Sequence, residues 1–147
     1  TGPYILANEC FSALKKSKEP FKHVVFVSSV LGKMGVPNLS AYCASKTGLL
    51  GLTRVLALDW AKENILVNAI CPGWVNTKMA QEGLGFLVSA TGKSFEQIYK
   101  EQMGHQPLTK WSEPEEIAAL VEYLVSPLQR SITGQAIDIN NGSFMSQ

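Results

Sequence analysis

Two runs of consecutive apolar residues constrain this chain more than any other feature. Val24-Val25-Phe26-Val27 and Ile65-Leu66-Val67-Asn68-Ala69-Ile70-Cys71 show almost no polar alternation. A strand with one wet face alternates. A strand that is apolar at successive positions is covered on both faces, as in a parallel sheet between helices. The first run predicts a strand over 23–29 that ends in Ser28-Ser29, and the second a strand over 65–71 ended by Pro72-Gly73. Gln135-Ala136-Ile137-Asp138-Ile139 predicts a short last strand, with Gly142 after it.

Helical spacing fills the intervals. Ile5, Leu6, Cys10, Ala13 and Leu14 predict a helix over 4–16, with Lys15, Lys16 and Lys18 at its carboxyl end and Pro20 as the stop. Residues 41–62 predict a second helix, with Ser40 as N-cap and Leu49, Leu52, Leu56 and Trp60 as its apolar stripe. Residues 78–104 are mixed. They carry Gly83, Gly85 and Gly92, then a helix from Ser94 with Glu96-Gln97 in its first turn. A further helix starts at Ser112-Glu113-Pro114-Glu115-Glu116, runs through Ile117, Leu120, Val121 and Leu124, and stops before Pro127. Alternating helices and buried strands predict an α/β, Rossmann-like, doubly wound parallel sheet with right-handed crossovers.

Composition removes several classes. With 46% hydrophobic and 17% charged residues, the 147-residue chain can build a core. Lys plus Arg number 13 and Asp plus Glu 12, so the net charge of +1 gives no electrostatic case for nucleic acid or an anionic membrane. No apolar run is long enough for a transmembrane helix. Cys10, Cys43 and Cys71 are far apart and lack metal-site spacing, and His23 and His105 are isolated, so no metal is expected. The cysteines read as reduced, mostly buried thiols of a cytoplasmic protein.

Three features point to chemistry. Tyr42 and Lys46 stand at i and i+4 on one helix face. An ammonium beside a phenol stabilises the phenolate, so such a pair can pass a proton to or from a substrate oxygen. An exposed helix pair is the plainer alternative. Ser28-Ser29 end a buried strand, where doubly wound sheets bind ligands; loop capping is the alternative. Cys71-Pro72-Gly73-Trp74-Val75-Asn76-Thr77 end the second strand, where Pro-Gly lets backbone approach a ligand or makes a plain turn. Asn68, polar within an apolar strand, reads as structural, satisfying buried backbone groups.

Residues 24–32, Tyr42-x-x-x-Lys46, residues 68–77 and Ile132-Thr133-Gly134-Gln135 together resemble the short-chain dehydrogenases/reductases, with Ser29 thirteen positions before Tyr42. The resemblance implies a nicotinamide-dependent interconversion of a carbonyl and a secondary alcohol. NAD or NADP would carry the hydride. Ser29 would polarise the substrate oxygen, and Tyr42 would act as general acid in reduction and base in oxidation. Lys46 would lower the Tyr42 pKa and bond the nicotinamide ribose. Pro72, Gly73 and Val75 would lie along the nicotinamide, with the Val75 backbone holding its carboxamide and Thr77 near the carboxamide or pyrophosphate. Residues 78–104 would form a substrate lid. Trp74, Met79 and Phe86 would line it, with core packing as the alternative. The substrate would be a small carbonyl or alcohol, leaning to 3-oxoacyl or 3-hydroxyacid compounds, including acyl thioesters on a carrier protein. A homotetramer or dimer is implied, with helices 4–16 and 41–62 pairing across subunits.

The resemblance also implies parts that this sequence does not contain: a glycine-rich turn after a first strand, and the residue that selects NAD or NADP. Residues 1–147 therefore read as the C-terminal part of a single Rossmann-like domain, its glycine-rich N-terminal half absent. The expectation is that these residues alone are inactive. The alternative function is that of an inactive fragment acting as an oligomerisation or interaction module. In place of the family's Asp-Gly-Gly stands Asn140-Asn141-Gly142.

Overall fold

A computed structural model of the chain describes residues 1–145. Its elements run α1 (Gly2–Lys16), β1 (Lys22–Val27), α2 (Ser40–Asp59), β2 (Ile65–Pro72), α3 (Lys78–Thr91), α4 (Phe95–Gly104), α5 (Pro114–Val125) and β3 (Ala136–Ile139). The three strands form one parallel sheet in the order β1-β2-β3. Every residue of β2 is buried, which explains its lack of alternation: it is central, with a helical layer on each face.

One face is covered by α1 and α2. Ala7, Leu56, Ala57 and Trp60 pack on Ile65 and Val67, with Phe11, Leu14, Val24 and Phe26 around them. Phe11 and Trp60 stack obliquely at 5.0 Å. The other face is left to α5, which packs on β1 and β2 and buries Leu124 completely. Asn68 is 1% exposed, and its side chain has backbone work to do: Nδ2 donates to the Ile132 carbonyl at 2.8 Å, and Oδ1 accepts from the Gln135 N–H at 3.1 Å. Thr133 and Gly134 extend the same stitching, the Thr133 hydroxyl accepting from Val67 N–H and Gly134 N–H donating to the Val67 carbonyl. Gly134 has φ +71°, where a side chain would be strained.

Several local expectations need correction. Helix α2 starts at Ser40 itself, with Leu39 in the N-cap position and no side-chain cap. The reason is that Cys43 N–H already bonds to the Leu39 carbonyl, after Asn38 turns the chain with φ 66°. The helix stops at Asp59 rather than at 62. A 3-10 turn over Ala61–Glu63 follows, closed by left-handed Asn64. Its buried stripe is Leu50, Thr53, Leu56, Ala57 and Trp60, whereas Leu49 and Leu52 are only half-buried. In α1, Ile5, Leu6 and Cys10 face solvent, because Ala7, Phe11 and Leu14 form the inner face. Hence one cysteine of the three, Cys71, is buried. Residues 78–91 form a full helix despite Gly83 and Gly85, and Ser94 caps α4 in a reciprocal box with Gln97. Among the described residues no helix is long and apolar enough to cross a membrane.

Candidate functional site

The carboxyl ends of β1 and β2 lie side by side, and α2 crosses beside them. Ser28 N–H continues the ladder to the Ile70 carbonyl at 2.9 Å. Ser28 and Ser29 are both buried. The Ser28 hydroxyl donates to the Lys46 carbonyl at 2.9 Å, and Thr47 Oγ1 donates to the Gly32 carbonyl at 3.0 Å. These bonds clamp the turn after β1 onto α2. Gly32 makes the clamp possible: a Cβ there would stand 2.7 Å from Ser28 Oγ and 3.1 Å from the Lys46 backbone.

Ser29 caps a 3-10 turn over Val30–Gly32, its Oγ accepting from the Leu31 N–H at 3.1 Å. Lys46 reaches back along α2, and its Nζ donates to the Val27 carbonyl at 3.0 Å. The same Nζ lies 5.5 Å from the centre of the Tyr42 ring, a cation–π distance. Tyr42 is 38% exposed and opens to the sheet edge. The fold thus carries Tyr42, Lys46 and Ser29 to one edge, joined through Val27 and Ser28. Cys71, buried beside them, has its thiol pushed up by burial, with Lys33, the Ser29 backbone and the Ser28 hydroxyl pulling the other way and Asp138 adding to the rise.

The loop after β2 is set by Ser112. Ser112 N–H donates to the Trp74 carbonyl and Asn76 N–H to the Ser112 carbonyl, both at 2.8 Å. In a parallel bridge of this kind, the amide groups of the central residue, Val75, turn to the opposite side. Pro72 is buried in β2. Gly73 has a structural reason of its own: a Cβ would meet the Asn140 backbone at 3.1–3.2 Å. Thr77 caps α3, accepting from Ala80 N–H at 3.3 Å. Trp74 is half-buried, its ring in reach of Gly83 on α3. Met79 and Phe86 are 74% and 73% exposed, so core packing is not their role. A cavity of about 530 Å³ adjoins the clamped turn, lined by Gly32, Lys33, Thr47, Arg54, Gln135 and Phe144. Ser29, Tyr42 and Lys46 do not line it.

Sequence reasoning missed the role of Ser112, whose only signal was a serine ahead of a helix start. It also missed the pair of Lys33 and Asp138. Asn141 takes φ 55°, a conformation asparagine tolerates, and its Nδ2 donates to the Lys110 carbonyl at 2.8 Å. This is why asparagine serves there where a glycine was expected.

A family model described as Enoyl-(Acyl carrier protein) reductase matches residues 1–143. The chain belongs to the short-chain dehydrogenase/reductase family. It is 35% identical over 144 residues to the 3-oxoacyl-[acyl-carrier-protein] reductase FabG of Aquifex aeolicus, covering 98% of this chain and 53% of that protein. Aldohexose dehydrogenase from Thermoplasma acidophilum superposes with a TM-score of 0.87 at 28% identity, over 97% of this chain and 55% of that one. A 4-hydroxyisoleucine dehydrogenase complexed with NADH gives 0.81 at 32% identity, over 99% and 56% of the two chains. An actinorhodin polyketide ketoreductase variant with NADPH gives 0.81 at 31%, over 93% and 50%. The chain spans about half the length of the curated relatives it matches. It is thus similar to the C-terminal part of Rossmann-fold oxidoreductases.

Proposed function

We propose that this chain is the proton-handling half of a nicotinamide-dependent oxidoreductase that interconverts a ketone and a secondary alcohol. The observation that carries the reading is the Lys46 bond to the Val27 carbonyl, which brings Lys46 and Tyr42 to the strand end that leads into Ser28-Ser29. The acceptor side of the Ser29 hydroxyl is taken by Leu31 N–H, so its proton is left to donate to a substrate oxygen. Lys46 spends one of its three donors on Val27, which leaves the others for the Tyr42 oxygen and a ribose hydroxyl. Tyr42, open to the edge, gives the proton to the developing alkoxide in reduction and takes it back in oxidation.

The residues present fit a nicotinamide. The Val75 N–H, turned away from Ser112, can donate to a carboxamide, while its carbonyl accepts from Thr77 Oγ1 at 3.3 Å, with Pro72 and Gly73 beside it and Thr77 at the helix start. NAD or NADP supplies the hydride when bound. The rest of such a cofactor needs a phosphate-binding turn of the kind that opens this fold. We therefore assign activity to a chain that carries both halves of the sheet, and none to residues 1–147 alone. The names of curated relatives, 3-oxoacyl-[acyl-carrier-protein] and ketoacyl reductases, favour a 3-oxoacyl thioester, reduced to its 3-hydroxy product, with α3 and α4 as its lid and Trp74, Met79 and Phe86 toward the acyl group. We place the protein in the cytoplasm.

The test is oxidation of NADH or NADPH by 3-oxoacyl thioesters and small ketones, in a protein carrying both halves and in residues 1–147 alone. Turnover is expected in the first and not in the second. Tight cofactor binding and turnover by residues 1–147 would overturn the division of labour.

One observation favours a second role beside catalysis. Tyr4, Ile5 and Leu6 on α1 and Val55 and Leu58 on α2 are all more than half exposed. Such a surface suits pairing of α1 and α2 between copies in a dimer or tetramer. Sedimentation of the wild type and a Leu6→Lys/Leu58→Lys variant tests it, with dissociation expected.

A further inference from the structure

Lys33 follows the turn that Ser29 caps, and its side chain runs across the sheet to β3. Its Nζ lies 2.7 Å from Asp138 Oδ2 and 2.8 Å from the Ala136 carbonyl, with side chains 13% and 21% exposed. Asp138 is paired in register with Cys71 on β2, and Ser28 N–H bonds to the Ile70 carbonyl one residue earlier on that strand. The ion pair therefore stands directly behind the Ser29 turn and ties it to the far strand. On the other side the turn is held by α2, through Ser28 and Thr47.

A largely buried ion pair is a poor source of stability, since desolvation offsets most of the attraction and an apolar pair of equal volume does as well. What it supplies is a fixed position. Lys33 N–H bonds to the Val30 carbonyl and Gly32 N–H to the Ser29 carbonyl, so a displacement of Lys33 passes through one 3-10 turn to Ser29. We propose that Lys33 and Asp138 form a positioning strut that fixes the Ser29 hydroxyl for the substrate oxygen. This rests on the reading of Ser29 given above. Both residues act through Ser29.

The test uses the active protein with both halves of the sheet. Lys33→Met is expected to lower kcat about tenfold, with the cofactor KM within about twofold, because displacement of a reacting group costs rate before affinity. Lys33→Met/Asp138→Asn removes the carboxylate left without its lysine, which preserves the fold, and gives the same loss. Lys33→Arg keeps the charge and restores kcat to within about threefold. The decisive arm repeats Lys33→Met in a Ser29→Ala background. A strut that acts through Ser29 has nothing left to lose there, whereas a merely structural role lowers kcat again. Wild-type kcat in the folded double variant, or a further tenfold loss on Ser29→Ala, overturns the strut and leaves the Ser29 reading intact. Unchanged kcat in Ser29→Ala alone overturns both.

Discussion

The edge that carries Ser29, Tyr42 and Lys46 and the α3–α4 hairpin beside it are held by different means. At the edge, the fixing bonds are long-range: Ser28 to Lys46, Thr47 to Gly32, Lys46 to Val27, Lys33 to Asp138. In α3 and α4 they are mostly local. Thr77 and Ser94 cap the helices, Lys93 pairs with Glu101 at 2.7 Å, and the helices bury Leu84, Ile98 and Met103. Met79 and Phe86 stay in solvent. A proton donor must be held to within a fraction of an ångström, and long-range bonds do that. On the proposed reading α3 and α4 cover the substrate, and local bonds let such a cover move as a unit.

The comparison can be broken by mutation. The largest effect on stability is expected within the sheet that supports the edge. Asn68→Leu takes the acceptor from the Gln135 N–H and leaves the Ile132 carbonyl with Gln129 Nε2 as its side-chain donor, and should cost about 2–3 kcal/mol in denaturant unfolding. Gly32→Ala is next. Its methyl would meet Ser28 Oγ and the Lys46 backbone, for a loss of about 1–3 kcal/mol and of turnover with it. The matching change in α3 has the opposite sign. Gly85→Ala finds nothing within 4 Å, so the helix gains about 0.5–1 kcal/mol and turnover is unchanged. A stabilising Gly32→Ala would end the contrast.

The smallest effect is a pH slope away from the edge. Both ring nitrogens of His23 are buried without a hydrogen-bond partner among the described residues, and burial pulls its pKa below the ordinary value of 6.5. The folded chain then refuses a proton that the unfolded chain accepts. Stability is complete above about pH 6.5 and is lost as pH falls from there toward the lowered folded value. Urea midpoints from pH 8 to 5 measure the slope, and His23→Gln should flatten it.

The parallel sheet was legible because β2 is apolar on both faces and is flanked by helical segments, as a strand covered on both sides by helices requires. Asn68 was legible as structural because a lone amide in such a strand needs partners. The reach of Lys46 to the end of β1 followed from strand ends and helix spacing. Less visible was anything set by contacts between distant segments. Gly73 reads as a ligand glycine in sequence, yet the Asn140 backbone already accounts for its missing side chain. Lys33 and Asp138 stand far apart in the chain, and no local pattern joins them. Ile5, Leu6 and Cys10 share helical spacing with buried residues but face outward, because α1 has one inner side and three large apolar groups too many for it.

The central claim is that Tyr42 handles the proton while the cofactor site is independent of its hydroxyl. Tyr42→Phe in the protein carrying both halves tests it, by turnover with a ketone and by titration with NADH and NADPH. The account predicts a fall in kcat of about 10²–10⁴-fold with cofactor affinity near that of the wild type. Unchanged turnover, or loss of cofactor binding in step with turnover, would contradict it.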